Sequence, residues 1–250
     1  MKTIGIIPAR YESSRFPGKP LVDILGKSMI QRVYEKCLEA KSLDDVYVAT
    51  DDDRIYDHVH SFGGKVILTN TAHTNGTERC EEVLRKLNDH EIDIVINIQG
   101  DEPFISPTQI DLLANLFTKY PETEIGTLIK KIEDDDTLFN PNTPKVVFTP
   151  EFDALYFSRN TIPFQRDNPK EAWLANHNYF KHIGIYGYTS KTLHEIVELK
   201  ETTLELTEKL EQLRWLENGY RIKVAETNHE TIGIDTPEDL ERVIDLLKKQ

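Results

Sequence analysis

The sequence predicts an α/β fold built on a parallel, doubly wound sheet. Short apolar runs alternate with helical patterns through the first half of the chain. The apolar run at 4–7 leads directly into a loop rich in cations and prolines, and the run at 94–98 stops at Gln99-Gly100-Asp101. Strand–helix alternation is typical of doubly wound parallel sheets. Such sheets bind ligands at the carboxyl ends of their strands, where both segments should lie.

The predicted elements follow this alternation up to about residue 120. The strands fall at 3–8, 46–50, 66–69 and 92–98, and the helices at about 28–40, 53–62, 77–88 and 107–119. The second half is less regular. Its strands are predicted at 125–132, 145–148, 154–158, 180–188 and 221–226, and its helices at about 189–198, at 203–218 and from Pro237 onwards.

Segment 160–178 contains prolines and asparagines and predicts an irregular arm. No repeat or linker divides the chain. We therefore expect one domain over residues 1–250, with residues of about 150–220 forming a smaller portion within it.

Composition limits the classes of partner. The 250 residues include 30 Lys and Arg against 43 Asp and Glu, a net charge of −13. This acidity argues against binding to nucleic acid or to an anionic membrane surface. No apolar run approaches the roughly 20 residues of a membrane span, and we expect a cytoplasmic protein. Cys37 and Cys80 predict reduced core thiols because two cysteines make no disulfide framework.

Three cations, Arg10, Arg15 and Lys19, stand among small residues and prolines at 8–20. Arginine binds phosphate oxygens in a bidentate manner, and lysine supplies a compact charge. In an acidic chain, this cationic loop indicates a site for a polyanion. The alternative is a solvated basic loop that binds nothing.

Two acids are candidates for metal binding. Asp101 is predicted at the end of a central strand, on the same edge as the cationic loop. Magnesium takes one or two carboxylates together with substrate phosphates, so Asp101 suits nucleotide chemistry. The alternative is an ordinary turn aspartate. Asp235 precedes a capped helix and is either a second metal carboxylate or a helix-entry residue.

The entry to the helix at 77–88 could meet an anion or a nucleotide hydroxyl with its backbone amides, although Thr77 is also an ordinary N-cap.

Two other patterns are misleading. Gly26-Lys27-Ser28 ends like a Walker A loop, but Leu21 stands where its first glycine should be. The acid runs at 51–53 and 134–136 predict helix starts or solvated acids. No zinc site is expected, because the histidine and cysteine spacing does not provide one.

The chain resembles the 3-deoxy-manno-octulosonate (KDO) cytidylyltransferases along nearly its whole length. The matching segments are PARYESSRFPGKPLVDI at 8–24, VATD at 48–51, HTNGTERCEEV at 73–83, NIQGDEPFI at 97–105, FNPNTPKVV at 139–147, ALYFSRNTIPF at 154–164, KHIGIYGY at 181–188, LEQLRWLENGY at 210–220 and GIDTPEDLERV at 233–243. Asn75 departs from the serine of many members. Residues 202–204 read Thr-Thr-Leu where serine–proline–leucine is common.

The resemblance implies a Rossmann-like, mostly parallel sheet of the nucleotide-diphospho-sugar transferase type. It also implies the reaction CTP + KDO → CMP-KDO + diphosphate, with Mg²⁺ as cofactor. It also implies a homodimer, built partly through the portion after residue 150, and a role in lipopolysaccharide biosynthesis. In this family the same portion binds the sugar.

Site roles follow from the resemblance residue by residue. Arg10 and Lys19 would bind the triphosphate and neutralise the leaving diphosphate, and Asp101 and Asp235 would hold Mg²⁺. The residues expected to contact the nucleotide are Ala9, Arg10, Arg15, Lys19, Thr77, Arg79 and Gln99. Arg159 is expected to bind the sugar carboxylate. The expected readers of the sugar hydroxyls are His182, Tyr186, Glu211 and Gln212.

Three alternatives remain open at this point. The sugar could be the 8-amino analogue of KDO or another acidic sugar, since sequence does not separate a hydroxyl from an amine at one carbon. A glycosyltransferase on a similar sheet would use a DxD metal motif, which residues 51–53 satisfy trivially, but would have no purpose for the cationic loop. A catalytically dead nucleotide-binding module would be expected to lack Lys19, Asp101 or Asp235, and all three are present.

Overall fold

The computed structural model describes residues 1–12, 16–230, 233–234 and 236–247. The chain divides into two compact units. Unit 1 comprises Met1–Ala114 and Thr231–Gln250, and unit 2 comprises Asn115–Glu230. The predicted portion at 150–220 falls inside unit 2. No helix among the described residues is long and apolar enough to cross a membrane.

Unit 1 has the predicted alternation. Its strands are β1 (Lys2–Ala9), β2 (Asp23–Ile24), β3 (Lys27–Ser28), β4 (Asp45–Thr50), β5 (Val66–Leu68) and β6 (Ile92–Asn97). Its helices are α1 (Met29–Leu38), α2 (Asp53–Ser61) and α3 (Gly76–Leu87), and α4 (Pro107–Lys119) begins in it. Four strands pair in parallel in the order β6-β1-β4-β5. This confirms the parallel, doubly wound character expected from the sequence.

The core of unit 1 explains why these segments form strands. Ile4, Ile6 and Ile7 are at most 1% exposed, as expected for a central strand covered on both faces. Helix α1 buries Met29 and Val33 on one face. Cys37 and Cys80 are buried free thiols, which confirms the prediction of reduced core residues.

The Gly26-Lys27-Ser28 segment forms a β-hairpin and no phosphate loop. β2 pairs with β3 across a turn at Leu25 and Gly26, both of which have positive φ. Ser28 then caps α1, accepting from the Gln31 N–H at 3.2 Å. The rejection of a Walker A motif is therefore confirmed.

Unit 2 is a mixed α/β structure. Its strands are β7 (Ile125–Lys131), β8 (Lys145–Phe148), β9 (Ala154–Ser158), β10 (Phe180–Thr189) and β11 (Ile222–Glu226). Its helices are α5 (Asp135–Phe139), α6 (Trp173–Asn176), α7 (Ser190–Ile196), α8 (Thr203–Glu208) and α9 (Gln212–Glu217); the last helix of the chain, in unit 1, is α10 (Pro237–Leu247). β7 pairs in parallel with β11 and antiparallel with β10, and β8 is antiparallel to both β10 and β9.

The prediction of one helix at 203–218 is wrong. Lys209 has a φ of 53°, in the left-handed region, and ends α8 before α9 begins. The segment at 160–178 is mostly irregular as expected, but Trp173 in the short helix α6 is buried against Ile132, Leu138 and Tyr179. The acid run at 134–136 starts α5, confirming its prediction as a helix start.

Candidate active site

A cleft of about 270 Å³ opens in unit 1 at the carboxyl ends of β1 and β6 and at the start of α3. This is the sheet edge that the sequence predicted. Its lining residues are Pro8, Ala9, Arg10, Lys19, Pro20, His73, Thr74, Asn75, Gly76, Arg79, Gln99, Gly100 and Asp101. The cleft therefore brings together the cationic loop, the segment before α3 and the Gln99-Gly100-Asp101 corner.

Lys19 and Asp101 form an ion pair at this edge. The Lys19 Nζ lies 2.7 Å from the Asp101 Oδ2, with the two side chains 15% and 32% exposed. The corner approaches β1 closely, because a Cβ on Gly100 would lie 2.7 Å from the Pro8 carbonyl oxygen. Glycine at position 100 thus allows Asp101 to reach the cationic loop.

Arg10 is exposed and lines the same cleft, directly after the buried Ala9. Arg15 and Asp235 lie outside the described residues. The residue before Asp235 is described: Ile234 is fully buried and donates its N–H to the Asp101 carbonyl oxygen at 3.0 Å.

Arg79 lines the cleft, and its guanidinium is held by Asp51 and Thr69. Its Nη2 is 2.5 Å from the Asp51 Oδ2, and its Nη1 donates to the Thr69 Oγ1 at 2.7 Å. Gln99 is also a lining residue. Thr77 is buried and is absent from the lining residues that the structure describes, and Asn75 is the N-cap of α3.

His73 was not assigned a role from the sequence, although it opens the HTNGTER motif. It lines the cleft, and its Nε2 lies 2.5 Å from the Glu82 Oε2. Burial acts to raise the pKa of the Glu82 carboxyl, but the Asn70 N–H, Lys86 and His73 together lower it to about 2. Glu82 is therefore a carboxylate, and His73 must donate to it through Nε2.

Glu102 is a second residue that the sequence did not single out. Burial, with the neighbouring Asp101 charge, raises the pKa of its carboxyl to about 8. Its Oε2 is buried and has no hydrogen-bond partner within the described part of the chain. At neutral pH the uncharged form of Glu102 is favoured beside Asp101.

Unit 2 holds the residues expected to bind a sugar acid. Arg159 makes contacts that the sequence did not indicate, because its guanidinium donates to three backbone carbonyls. These are Glu208 O at 2.6 Å, Pro141 O at 3.2 Å and Lys209 O at 3.2 Å. A guanidinium has five N–H donors, so two remain for a carboxylate. Arg159 therefore supports the chain around α8, and carboxylate binding stays a prediction.

His182 and Tyr186 lie next to each other on β10, with ring centroids 5.2 Å apart. Burial lowers the pKa of His182 to about 3, so its imidazole is neutral at pH 7. The Thr127 hydroxyl donates to the Ile185 carbonyl oxygen at 2.7 Å and therefore accepts from the His182 Nε2, 3.0 Å away. This leaves Nδ1 of His182 as an acceptor. Burial likewise raises the pKa of Tyr186 and keeps its phenol protonated.

Three buried donors of unit 2 lack hydrogen-bond partners within the described part of the chain. The Tyr186 hydroxyl, the Gln212 Nε2 and the Trp215 Nε1 are buried and have no hydrogen-bond partner among the described residues. The Tyr186 and Trp215 rings meet edge to face at 5.1 Å. The charge of Glu211 acts on Tyr186. Unsatisfied buried donors are costly in isolation and indicate a polar ligand or water. Trp215 adds to the predicted set, while Glu211 and Gln212 belong to it already.

The two acids of α8, Glu205 and Glu208, both have hydrogen-bond partners within the protein. Glu205 is buried and pairs with Arg214 at 2.7 and 2.6 Å. Glu208 accepts from the Ser158 hydroxyl at 2.6 Å and from the Arg159 N–H at 2.9 Å. The break at Lys209 redirects the chain between these acids and Glu211.

The donors in unit 1 fit a magnesium ion that is also held by phosphate. Asp101 offers a carboxylate at the edge of a cleft that Arg10 and Lys19 make favourable for phosphate. Within the described residues, no group of three or more His, Cys, Asp or Glu side chains could hold a metal ion. The Asp101 carboxylate beside these cations therefore suits a magnesium ion that arrives with a nucleotide.

Comparison with known proteins places this geometry in a family. A cytidylyltransferase family model matches residues 4–224. The 3-deoxy-manno-octulosonate cytidylyltransferase of Cytophaga hutchinsonii is 57% identical over 96% of this chain and 95% of its own length. That of Parabacteroides distasonis is 53% identical over 99% of this chain and 98% of its own length.

A solved structure gives the same result. The CMP:2-keto-3-deoxy-manno-octonic acid synthetase complexed with CTP is 43% identical, covers 100% of this chain and 99% of its own, and has a TM-score of 0.91. This likeness confirms the predicted nucleotide-diphospho-sugar transferase fold. With the full-length sequence matches, it shows that the chain belongs to the 3-deoxy-manno-octulosonate cytidylyltransferase family.

Proposed function

We propose that this protein activates KDO: CTP + KDO → CMP-KDO + diphosphate. The anomeric hydroxyl of KDO attacks the α-phosphate of CTP, and diphosphate leaves. The observation that carries this proposal is the cleft of unit 1, where Arg10, Lys19 and Asp101 meet at one sheet edge. The full-length similarity to enzymes named for this reaction supports it.

Binding and charge neutralisation fall to the cationic loop. Arg10 is exposed to the cleft and can bind phosphate oxygens with its guanidinium. Lys19 supplies an ammonium held in place by Asp101. The leaving diphosphate gains negative charge as its bond to the α-phosphate breaks, and fixed cations lower the barrier by stabilising that charge. The other proposed nucleotide contacts are Ala9, Arg15, Thr77, Arg79 and Gln99.

We propose that Asp101 and Asp235 hold Mg²⁺ beside the triphosphate. When bound, magnesium would neutralise phosphate charge and favour loss of the proton from the attacking hydroxyl. The hydrogen bond from Ile234 to the Asp101 backbone supports this pairing, since Ile234 precedes Asp235 in the chain.

The sugar acid is proposed to bind in unit 2. The neutral His182 offers an acceptor at Nδ1, while Tyr186 and Gln212 offer buried donors. Together with Glu211, these residues offer both donors and acceptors to the hydroxyl groups of the sugar. Arg159 is the proposed partner of the sugar carboxylate, through its two remaining N–H donors.

We further propose a cytoplasmic homodimer whose product feeds lipopolysaccharide assembly. Exposed apolar side chains in unit 2 support the dimer, since Leu155 is 60% and Phe164 71% exposed. Sedimentation equilibrium tests this, and a monomeric mass at micromolar concentration would contradict it.

Diphosphate release tests the reaction. The purified protein is given Mg²⁺, CTP and KDO, with ATP, GTP and UTP in place of CTP as controls, and with EDTA in one arm. We expect release that requires CTP, KDO and the metal together. A parallel arm supplies the 8-amino analogue, because Glu211 could favour an amine. Preference for the analogue would change the substrate and keep the mechanism, and no release with either sugar would overturn the proposal.

A further inference from the structure

We infer that Tyr11 and Arg54 form a clamp that fixes the spacing of Arg10 and Lys19, which makes both clamp residues positioning residues for the triphosphate. The inference rests on the proposed function only in assigning the triphosphate to these two cations. Neither Tyr11 nor Arg54 is among the described lining residues of the cleft. Their effect must therefore reach the nucleotide through the cationic loop.

The first step is a hydrogen bond between the two ends of that loop. The Gly18 N–H donates to the Tyr11 carbonyl oxygen at 2.9 Å. Arg10 is the residue before Tyr11, and Lys19 is the residue after Gly18. Because a single hydrogen bond joins their neighbours, the backbone positions of the two cleft cations are set together.

The second step is the packing of the Tyr11 ring on Gly18. Gly18 has a φ of 71°, and a Cβ there would lie 3.1 Å from both the Cζ and the Oη of Tyr11. A Cβ at position 18 would therefore be in tight contact with the ring, which would have to move by a few tenths of an ångström. Glycine is favoured here by its positive φ, and the close approach of the ring adds to that preference.

The third step is the contact from α2. The guanidinium carbon of Arg54 lies 3.3 Å from the centroid of the Tyr11 ring, within the range of a cation–π contact. Asp52 fixes that guanidinium, accepting from Nε at 2.9 Å and from Nη2 at 2.6 Å. Asp52 is also the N-cap of α2. The Tyr11 ring thus has Arg54 over its face and Gly18 against its Cζ–Oη end, and it is tied to a helix start.

This arrangement explains how the exposed Arg10 side chain can bind phosphate without a large ordering cost. Arg10 is exposed, and a long exposed side chain on a mobile backbone would lose much of its binding free energy to ordering. A clamp anchored on α2 removes part of that cost for Arg10 and for Lys19 at once. It should act on ligands that carry the β- and γ-phosphates.

The test compares two ligands that carry a diphosphate group, CTP and diphosphate itself, with CMP, which has only the α-phosphate. Arg54→Ala and Tyr11→Leu should each lower kcat/KM for CTP about tenfold and weaken diphosphate binding, measured by calorimetry, to a similar degree. CMP affinity should change less than threefold. Tyr11→Phe keeps the ring and should recover most of the affinity. Arg85→Ala removes a comparably exposed arginine from α3 and serves as the charge control.

Coupling between the two residues is the sharper measurement. If they act as one clamp, the double variant Tyr11→Leu/Arg54→Ala should lose about tenfold, like either single variant, where independent effects would give about a hundredfold. Full additivity would overturn the clamp. So would unchanged diphosphate affinity in Arg54→Ala, or an equal loss for CMP and diphosphate. If the wild-type protein fails to release diphosphate from CTP and KDO, the proposed function fails, while direct diphosphate binding still tests the clamp.

Discussion

Asp101 serves two purposes at the edge of the cleft. Its carboxylate holds the Lys19 ammonium at 2.7 Å, and it is the ligand type that magnesium prefers. Lys19 is 15% exposed, so water screens this pair only partly. Removing the charge of Asp101 should therefore disturb both the metal and the position of the lysine.

Asp101→Asn tests this combined role. The amide keeps the shape of the side chain but loses the charge, so turnover should fall by about 100- to 1,000-fold while the thermal midpoint stays within a few degrees. Asp57→Asn, at an exposed position on α2, is the matched control. Steady-state diphosphate release measures the effect, and activity within tenfold of wild type would exclude Asp101 as a metal carboxylate.

His182 makes the stability of the protein sensitive to acid. Burial lowers its folded-state pKa to about 3, whereas the unfolded chain titrates near 6.5. The unfolded state therefore binds the proton first, and this contribution to stability is complete above pH 6.5 and lost as the pH falls towards 3. The loss should reach up to about 1.4 kcal/mol per pH unit.

Urea unfolding between pH 7 and pH 4 measures this slope. His182→Gln can still donate to Thr127 and should flatten the slope, whereas the exposed His177→Gln should leave it unchanged. A slope that persists in His182→Gln would assign the acid sensitivity to other groups.

Some site residues could be predicted from the sequence because they follow strands directly. Arg10 and Asp101 come within a few positions of an apolar run, so the sheet edge places them. Trp215 gave no comparable signal, since a tryptophan in a helical pattern is an ordinary core residue. The backbone contacts of Arg159 were also not predictable, because every residue has a carbonyl oxygen and the sequence does not show which of them an arginine will bind.

At the scale of the element, the break between α8 and α9 organises one side of unit 2. Lys209 adopts the left-handed conformation that ends many helices. Arg159 then donates to the carbonyl oxygens of Glu208 and Lys209, which the ended helix leaves without intrahelical partners. The amphipathic pattern runs through this break, and for that reason the sequence predicted one helix where two exist.

The buried pair of Glu205 and Arg214 joins the two short helices. The side chains are 10% and 8% exposed. Glu205→Gln should leave the buried guanidinium charge of Arg214 without a counter-charge. The free energy of unfolding should fall by about 3 kcal/mol. Lys191→Gln breaks an exposed pair with Glu195 and should cost less than about 1 kcal/mol. Equal effects in chemical denaturation would contradict this assignment.

At the scale of the whole molecule, the two units differ in how far the sequence specified them. Unit 1 repeats a local pattern of buried strand and amphipathic helix, and its parallel order follows from that alternation. In unit 2, β10 pairs antiparallel with both β7 and β8, a choice of partners that depends on contacts distant in sequence. The strands of unit 2 were predicted, but their pairing was not.

Isotope-resolved ³¹P NMR tests the proposed reaction most directly. KDO carrying ¹⁸O at the anomeric hydroxyl is incubated with CTP, Mg²⁺ and the protein. The account predicts CMP-KDO with an ¹⁸O-shifted α-phosphorus resonance, together with unlabelled diphosphate. Failure to form CMP-KDO, or an α-phosphorus without the label, would contradict attack of the anomeric oxygen on CTP.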